Sequence, residues 1–467
     1  MRDILFWFRN DLRLHDNEAL LRAADLGRVL PVYVIDPSQF DETKFGYKKT
    51  GVYRAKFLLE SLQDLKKNLQ SKGSDLIIRI GDPAIELAKI AEERDVLYVL
   101  ASKEVTQEET SLEFELSQNL KRLNIDMELI WQATLYHVRD LPFQIKFLPD
   151  VFTEFRKKMD KQSKVRPALP EPGKLKDISD IELGEIPHLK DLGFDEEDQS
   201  DSDFYKGGEK AGLERLQYFV WESQNIKTYK ETRNGLLGNE FSSKLSAWIS
   251  LGCVSPRKIY HEVRKFEKEV VKNESTYWVI FELIWRDYFH LVALKYGIRL
   301  FKRCGIQHDL IKDWRGDKDD YKKWMKGETG IPFVDANMRE LNATGFMSNR
   351  GRQIVTSFFT KDLRLEWWWG AMYFESKLID YDVCSNWGNW NYIAGIGNDP
   401  RPNRYFNISK QGEKYDPKAE YIKHWLPELK NVPAAVIHNF DKASESELEG
   451  YGLRPGKDYP KPMMQLP

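Results

Sequence analysis

Cysteine is scarce: Cys253, Cys304 and Cys384 are the only three in 467 residues, and no two form a CxxC pair. Thiols so spaced build no disulfide framework and fit a reducing, cytoplasmic setting. No run of about eighteen apolar residues occurs, so no membrane-spanning helix and no membrane partner are expected. The opening residues, MRDILFWFRNDLRLHDN, carry neither a signal peptide nor an Arg/Ser-rich transit pattern. The eight histidines show no HExxH-type spacing, so no zinc chemistry and no metal are expected. GxGxxG and GxxxxGK[ST] are both missing, which removes the dinucleotide fingerprint and the P-loop. Net charge is small, −2, which taken whole argues against nucleic-acid binding.

Its distribution changes that inference. Residues 171–203 hold twelve acids and three lysines, a net −9, so the rest of the chain carries +7. An acidic run of this kind reads as a solvated linker, and the folded remainder is basic enough for a phosphate-binding face.

The first 131 residues alternate strand and helix signals. Strand-like runs are Ile4–Arg9, Val29–Ile35, Leu76–Ile80, Val96–Ala101 and Met127–Trp131. Between them a helix spans Tyr53–Ser71, ended by Gly73, and Asp82-Pro83 opens another as N-cap and first residue. The alternation predicts an α/β domain with a doubly wound parallel sheet over 1–131. Residues 132–203 mix Pro, Lys and acids with weak periodicity and read as an interdomain connection. From 204 to 467 the periodicity is helical, as in Gly208–Trp221, Ser242–Ile249, Ser255–Glu267, Thr276–Tyr296 and Pro332–Asn342, with Gly345 placed as a C′ glycine. A large all-helical domain is expected there.

Twelve of the fourteen tryptophans lie after residue 220, in segments shared with Asn, Asp, Arg and Ser. An apolar core needs no such company, because buried polar groups must find partners. A large polar aromatic ligand would supply them. Ser242, Ser243, Lys244 and Ser246 are expected to open a helix behind the Gly235–Gly238 loop, where they offer an anion site, although for this segment taken alone plain Ser capping is the better reading. Trp278, Glu282, Trp285 and Phe289 share one helix face, with Arg286 one turn from Glu282. Two acids, two asparagines and two tryptophans fill Asp380–Trp390.

The stretches TYKETRNGLLGNEFSSKLS, FELIWRDYF, GIPFVDANMRELNATGFMSNRGRQ, IDYDVCSNWGNWNY and RYFNISKQGEKYD together resemble the photolyase/cryptochrome family, most closely its cryptochrome-DASH subgroup. The resemblance runs from FWFRNDLRLHDN to about residue 430. It implies FAD held in the helical domain. Tyr229 with Ser242, Ser243, Lys244, Leu245 and Ser246 would hold phosphates and ribityl. Trp278, Arg286 and Asn349 would wall the cofactor. Asp380, paired to Arg352, and Asp382 would bond ribose and ring edge, and Asn386 would face flavin N5. It implies an electron-transfer chain of Trp390, Trp367 and Trp314, with Trp314 outermost; Trp368 and Trp369 are left as packing.

It also implies light-driven splitting of cyclobutane pyrimidine dimers in DNA. Trp285 would stack on the flipped bases, Glu282 would hydrogen-bond their carbonyl edge, and Arg233 and Arg350 would touch phosphates. Gln353, Tyr392 and Asn407 stand where double-strand photolyases commonly carry Met, a second Trp and a basic residue. Weaker grip favours single-stranded substrate, which escapes most of the unstacking cost. Lys103–Glu109 matches the antenna stretch, implying 5,10-methenyltetrahydrofolate, and a monomer is expected. The alternative is a blue-light photoreceptor signalling through flavin redox state; a chain ending about 35 residues beyond Asn431 weighs toward repair. A 6-4 lesion enzyme would want histidines in these motifs, and a dark oxidoreductase a nicotinamide site.

Overall fold

The computed structural model describes residues 2–195, 204–307, 312–401 and 404–467. The chain opens with β1 (Asp3–Trp7), α1 (Glu18–Leu26), β2 (Arg28–Ile35), α2 (Val52–Ser71), β3 (Ile77–Ile80), α3 (Pro83–Glu93), β4 (Tyr98–Ser102), α4 (Gln107–Arg122) and β5 (Asp126–Ile130). The five strands form one parallel sheet in the order β3-β2-β1-β4-β5. Its strands are runs of β-branched and aromatic residues buried on both faces, as a sheet covered by helices requires. Leu5, Trp7, Leu30, Val32, Val99 and Ala101 meet Leu87, Ile90, Leu116 and Leu120 from α3 and α4. Asp82 caps α3 as expected, accepting from the Ala84 and Ile85 N–H groups at 2.8 and 3.1 Å.

Two expectations about the connecting segment change. Residues 132–195 include a helix, α5 (Phe152–Gln162), whose Phe152, Phe155 and Met159 are buried. The described part of the acidic run is also not simply solvated. Ile178 joins the sheet core, and Asp180 pairs with Arg28 at 2.8 Å and Arg94 at 2.6 Å. Its other acids at 196, 197, 198, 201 and 203 lie outside the described residues.

The helical part comprises α6 (Glu209–Gln217), α7 (Tyr229–Thr232), α8 (Ser246–Ser250), α9 (Pro256–Glu269), α10 (Glu274–Tyr296), α11 (Lys318–Lys326), α12 (Pro332–Thr344), α13 (Asn349–Ser357), α14 (Trp367–Lys377), α15 (Val383–Ala394), α16 (Ile408–Tyr415), α17 (Glu420–Trp425), α18 (Ala434–His438) and α19 (Glu445–Gly450). Gly345 takes φ +69° at the end of α12, the left-handed backbone foreseen for it. The helix expected from Ser242 starts only at Ser246, because Lys244 adopts φ +57° and breaks the first turn. Ser242 and Ser243 therefore lie in the preceding bend.

The chain divides into two compact units that do not follow the sequence order: residues 1–230, 243–298 and 379–385 form one, and residues 231–242, 299–378 and 386–467 the other. In the first unit, pairs far apart in sequence are buried. Asp16 binds Arg257 at 2.7 Å, and Asp287 accepts from the Leu135 and Tyr136 N–H groups at 2.9 and 2.8 Å. No described helix is long and apolar enough to cross a membrane.

Candidate functional site

In the first unit α10 organises the chemistry. Asn273 caps it, accepting from Thr276 N–H at 2.9 Å, and its long apolar register buries Val279, Leu283 and Ile284. The opposite face carries Trp278, Glu282, Trp285 and Arg286, all half-buried. Trp278 stacks on Phe281 at 4.5 Å, and Lys230 Nζ lies 5.0 Å from its ring centroid. Phe152 of α5 lies flat against Trp285, centroids 3.5 Å apart and 10° from parallel, which fixes the indole plane. Arg286 Nη1 donates to Ala133 O at 2.5 Å, and its ion pair is with Asp382 at 3.1 Å.

Asp382 sits in the short loop before α15, where its Oδ1 accepts from Ser385 N–H at 2.8 Å. Burial by itself would raise this carboxyl, but His290 and Arg286 outweigh it and hold the pKa below the ordinary carboxylate value. His290, 3.8 Å from the same carboxylate, is driven the other way by burial, down to about 4, so it is a neutral imidazole. Asp382, His290 and Cys384 place their ligand atoms within 4.8 Å of one another. The Arg286 cation on that carboxylate competes with any metal there. Tyr229 is buried against Phe219, ring centroids 5.8 Å apart, and the Ser243 carbonyl accepts from Arg215 Nε at 2.9 Å. Lys244 and Leu245 are buried, Ser246 is exposed and Asp380 is buried.

The same unit holds a cavity of about 610 Å³, large enough for a small-molecule ligand. Arg9, Tyr33, Arg54, Glu104, Glu109, Arg286, His290 and Tyr381 are among the side chains on its wall. Arg54 lies over the Tyr381 ring at 4.7 Å. Burial pushes the Glu104 carboxyl up to about 7, despite the opposing pull of Arg9. Of the expected antenna stretch, Glu104, Glu108 and Glu109 reach the cavity, whereas Lys103 pairs with Glu113 and Thr106 stands as the N-cap residue of α4.

The second unit gathers the tryptophans. Trp390, 2% exposed, meets Phe374 at 5.2 Å, Phe359 at 5.6 Å and Trp324 at 6.2 Å, all edge to face. Its ring lies so close to Gly370 that a Cβ there would come within 2.2 Å of it. Trp367, fully buried, begins α14 three residues before Gly370 and donates Nε1–H to Arg303 O at 2.9 Å. Trp387 approaches Trp367 edge-on at 5.6 Å. Trp314 is 7% exposed and lies on the strand-like stretch where Arg315 bridges to Leu365, two residues before Trp367. Asn386 is buried and donates Nδ2–H to Ala371 O at 3.0 Å, which leaves its Oδ1 as an acceptor.

A basic and aromatic cluster occupies the same unit. Arg350, on α13, lies 4.5 Å over Tyr415 and 5.9 Å from Phe406; Arg404 lies 4.9 Å from Phe406 and 5.5 Å from Tyr392. Arg350 reaches Asn234 and Gln411 at 3.4 Å and makes no ion pair among the described residues. Arg233, next to Asn234 in the chain, is half-buried, as are Gln353 and Arg352, whose Nε–H goes to Met347 O at 2.9 Å. Asn349 opens α13 behind the Ser348 cap. Asn407 turns out to be an N-cap, accepting from Lys410 N–H at 2.9 Å.

Several buried polar atoms have no partner among the described residues: Arg286 Nε, Arg350 Nε, Trp390 Nε1 and Gln353 Oε1. Such atoms cost free energy unless a ligand or water meets them; of these four, one donor, Arg286 Nε, lies in the first unit, and two donors and the Gln353 Oε1 acceptor lie in the second. His290, Tyr381, Arg54 and Arg404 were not singled out from the sequence. Tyr381 could have been, since it separates Asp380 from Asp382, and Arg404 opens the RYFN motif.

The chain is similar to known proteins along its whole length. Residues 278–467 match the FAD binding domain of DNA photolyase, and residues 4–173 match the DNA photolyase domain. A cryptochrome DASH of Gloeobacter violaceus is 48% identical over 100% of the chain and 93% of its own length, and that of Xenopus laevis is 48% identical over 100% and 90%. The crystal structure of a Synechocystis cryptochrome superposes with a TM-score of 0.94 at 48% identity, covering 99% of this chain and 96% of that one. A bacterial class III photolyase from Agrobacterium tumefaciens does so with a TM-score of 0.87 at 28% identity, covering 100% and 95%. The chain thus belongs to the photolyase/cryptochrome family, in its cryptochrome DASH branch, and carries that family's FAD-binding domain.

Proposed function

We propose that the protein repairs cyclobutane pyrimidine dimers in single-stranded DNA under blue light. The observation that carries this reading is the half-buried face of α10, where Glu282 stands one turn from Trp285 and Trp285 is backed flat by Phe152. When bound, reduced and excited by blue light, FAD supplies the electron that opens the cyclobutane ring and takes it back. Trp285, its plane set by Phe152, stacks on the extruded bases. Glu282 hydrogen-bonds their carbonyl edge and steadies the charge that develops there. Arg350 and Arg233 hold phosphates, and Arg404 joins them as a third cation. Gln353 and Tyr392 give the lesion a moderate grip, which suits a strand already unstacked.

For the cofactor, Tyr229, Ser242, Ser243, Lys244, Leu245 and Ser246 would hold the phosphates and ribityl chain. Trp278, Arg286 and Asn349 would flank the rings. Asp380 with Arg352, and Asp382, would take the ribose and ring edge. Asn386, its Nδ2 committed to Ala371, offers its Oδ1 to a protonated ring nitrogen. Trp390, Trp367 and Trp314 would relay electrons inward from the surface. The 610 Å³ cavity with Glu104 and Glu109 suits an antenna pigment such as methenyltetrahydrofolate, whose amino-pterin edge donates to carboxylates.

Illumination of the FAD-loaded protein with dimer-containing oligonucleotides tests the reading. Restored thymine on single strands, with little on duplex, is expected; none on either sinks it. A photoreceptor role is the second reading, favoured by relatives bearing the cryptochrome name. It predicts a light-dependent change in DNA affinity without repair.

A further inference from the structure

Two ammonium groups converge on one backbone oxygen in the second unit. Lys312 Nζ donates to Ala394 O at 2.5 Å, and Lys361 Nζ donates to the same oxygen at 3.1 Å. Ala394 ends α15, so a cation here caps the helix. One would suffice, and the second adds repulsion. Among the described residues neither lysine has an ion pair. Asp313 is engaged with Arg364 at 3.4 Å, Glu366 with Arg303 at 2.7 Å, and Asp399 with Arg401 at 3.2 Å and Arg404 at 3.4 Å. Asp362, next to Lys361, accepts from Tyr405 Oη–H at 3.1 Å, and its Oδ2 meets neither lysine. Asp399 lends Lys361 a weak favourable field. Burial, and then Lys361, bring the Lys312 ammonium down to about 8.

Lys312 Nζ also lies 5.7 Å from the ring centroid of Trp314, which is 7% exposed. Arg303 ties that indole to the next: its Nη2 donates to Trp314 O at 3.3 Å, and its own carbonyl accepts from Trp367 Nε1–H at 2.9 Å. A cation beside a neutral indole is weakly favourable. Beside an indole radical cation it is repulsive, and low exposure leaves the repulsion poorly screened.

We propose that Lys312 gates the outer end of the tryptophan chain: its ammonium keeps Trp314 hard to oxidise, and its neutral amine lets the hole settle there. This rests on the proposed electron relay. In the gated step one electron leaves Trp314 and fills the hole on Trp367, with no bond made or broken. The Lys312 proton has gone to water beforehand, and an external thiol reductant later returns an electron to Trp314. Lys312 is a positioning residue for charge; burial first, and then Lys361, sets the pH at which it acts.

Flash photolysis of the FAD-loaded protein between about pH 6 and pH 10 reads the Trp314 radical by its absorbance, with Trp314→Phe as the assignment control. The wild-type yield should rise through about pH 8. Lys312→Met should be pH-independent and high, Lys312→Arg pH-independent and low, the two differing about tenfold. Lys361→Met should move the inflection to higher pH. Independently of light, the Lys312 side-chain resonance, identified by its loss in Lys312→Arg, should titrate near pH 8 and higher in Lys361→Met. A flat wild-type profile, or coincident curves for Lys312→Met and Lys312→Arg, overturns the gate. If Trp367→Phe blocks photoreduction while the Lys312 variants follow wild type, the gate alone fails; if Trp367→Phe photoreduces normally, the relay fails and takes the gate with it.

Discussion

Arg286 and His290 meet the same carboxylate, and each shows how a residue's neighbours decide its state. One turn after Glu282, Arg286 invites an i,i+4 pair on the helix surface. It instead reaches Asp382 at 3.1 Å, across 96 residues of chain. His290 stays neutral because burial costs more than Asp382 returns. Its folded pKa, about 4, lies below the unfolded value of 6.5, so the unfolded chain binds more protons between them. The stabilisation is complete above pH 6.5 and drains as pH falls toward 4, in total about 3 kcal/mol. Between pH 6.5 and 4.5 the wild-type urea midpoint should therefore fall relative to that of His290→Asn, since the raised carboxyls, Glu104 among them, act with the opposite sign in both proteins. Glu282→Ala, with FAD still bound, should slow dimer splitting by at least about tenfold in single-turnover assays. Undiminished repair removes Glu282 from the site.

At the scale of elements, α14 and α15 are set against each other by a glycine. Gly370 leaves room for the Trp390 ring, and a methyl group there would sit 2.2 Å from its edge. Gly370→Ala should cost about 1–3 kcal/mol in denaturant unfolding, as overpacking does, and displace Trp390. Flavin photoreduction should fall with it; an unchanged unfolding midpoint would mean the helices part at no cost. Gly351 plays the same part between α13 and α12, where a Cβ would meet Asn337 Oδ1 at 1.9 Å. The loop before α8 went differently from its sequence pattern. Serines before an apolar run look like a helix start, but Lys244 at φ +57° delays the first turn to Ser246. Local propensity cannot foresee a left-handed lysine, because only the surrounding packing holds a residue there.

For the whole molecule, charge is segregated rather than scarce. Arg350, Arg404 and Arg233 belong to one compact unit, and the described acids of the acidic run, such as Asp180, lie in the other. Binding to lesion-bearing single strands should weaken linearly in log–log salt plots. Arg350→Ala should reduce that slope by about one phosphate contact, about 0.7 in log units for single strands. An unchanged slope would place Arg350 away from the backbone.

The alternating pattern of the first 131 residues and the long helical periodicities were readable because strand and helix repeats are local and strong. The motif residues of α10, α13 and the Asp380–Trp390 segment were readable because their polar company has no use in an ordinary core. The division into units was not: residues 243–298 and 379–385 join the N-terminal body, a matter of long-range packing that leaves no periodic trace. Nor was the cavity walled by Glu104, Arg54 and Tyr381, which brings together three stretches far apart in the chain. The tryptophan-rich half was marked out by composition alone. Which indole is capped by Phe152, which meets Gly370 and which lies under Lys312 was settled only by folding, because ring contacts depend on helix crossings rather than on spacing along the chain.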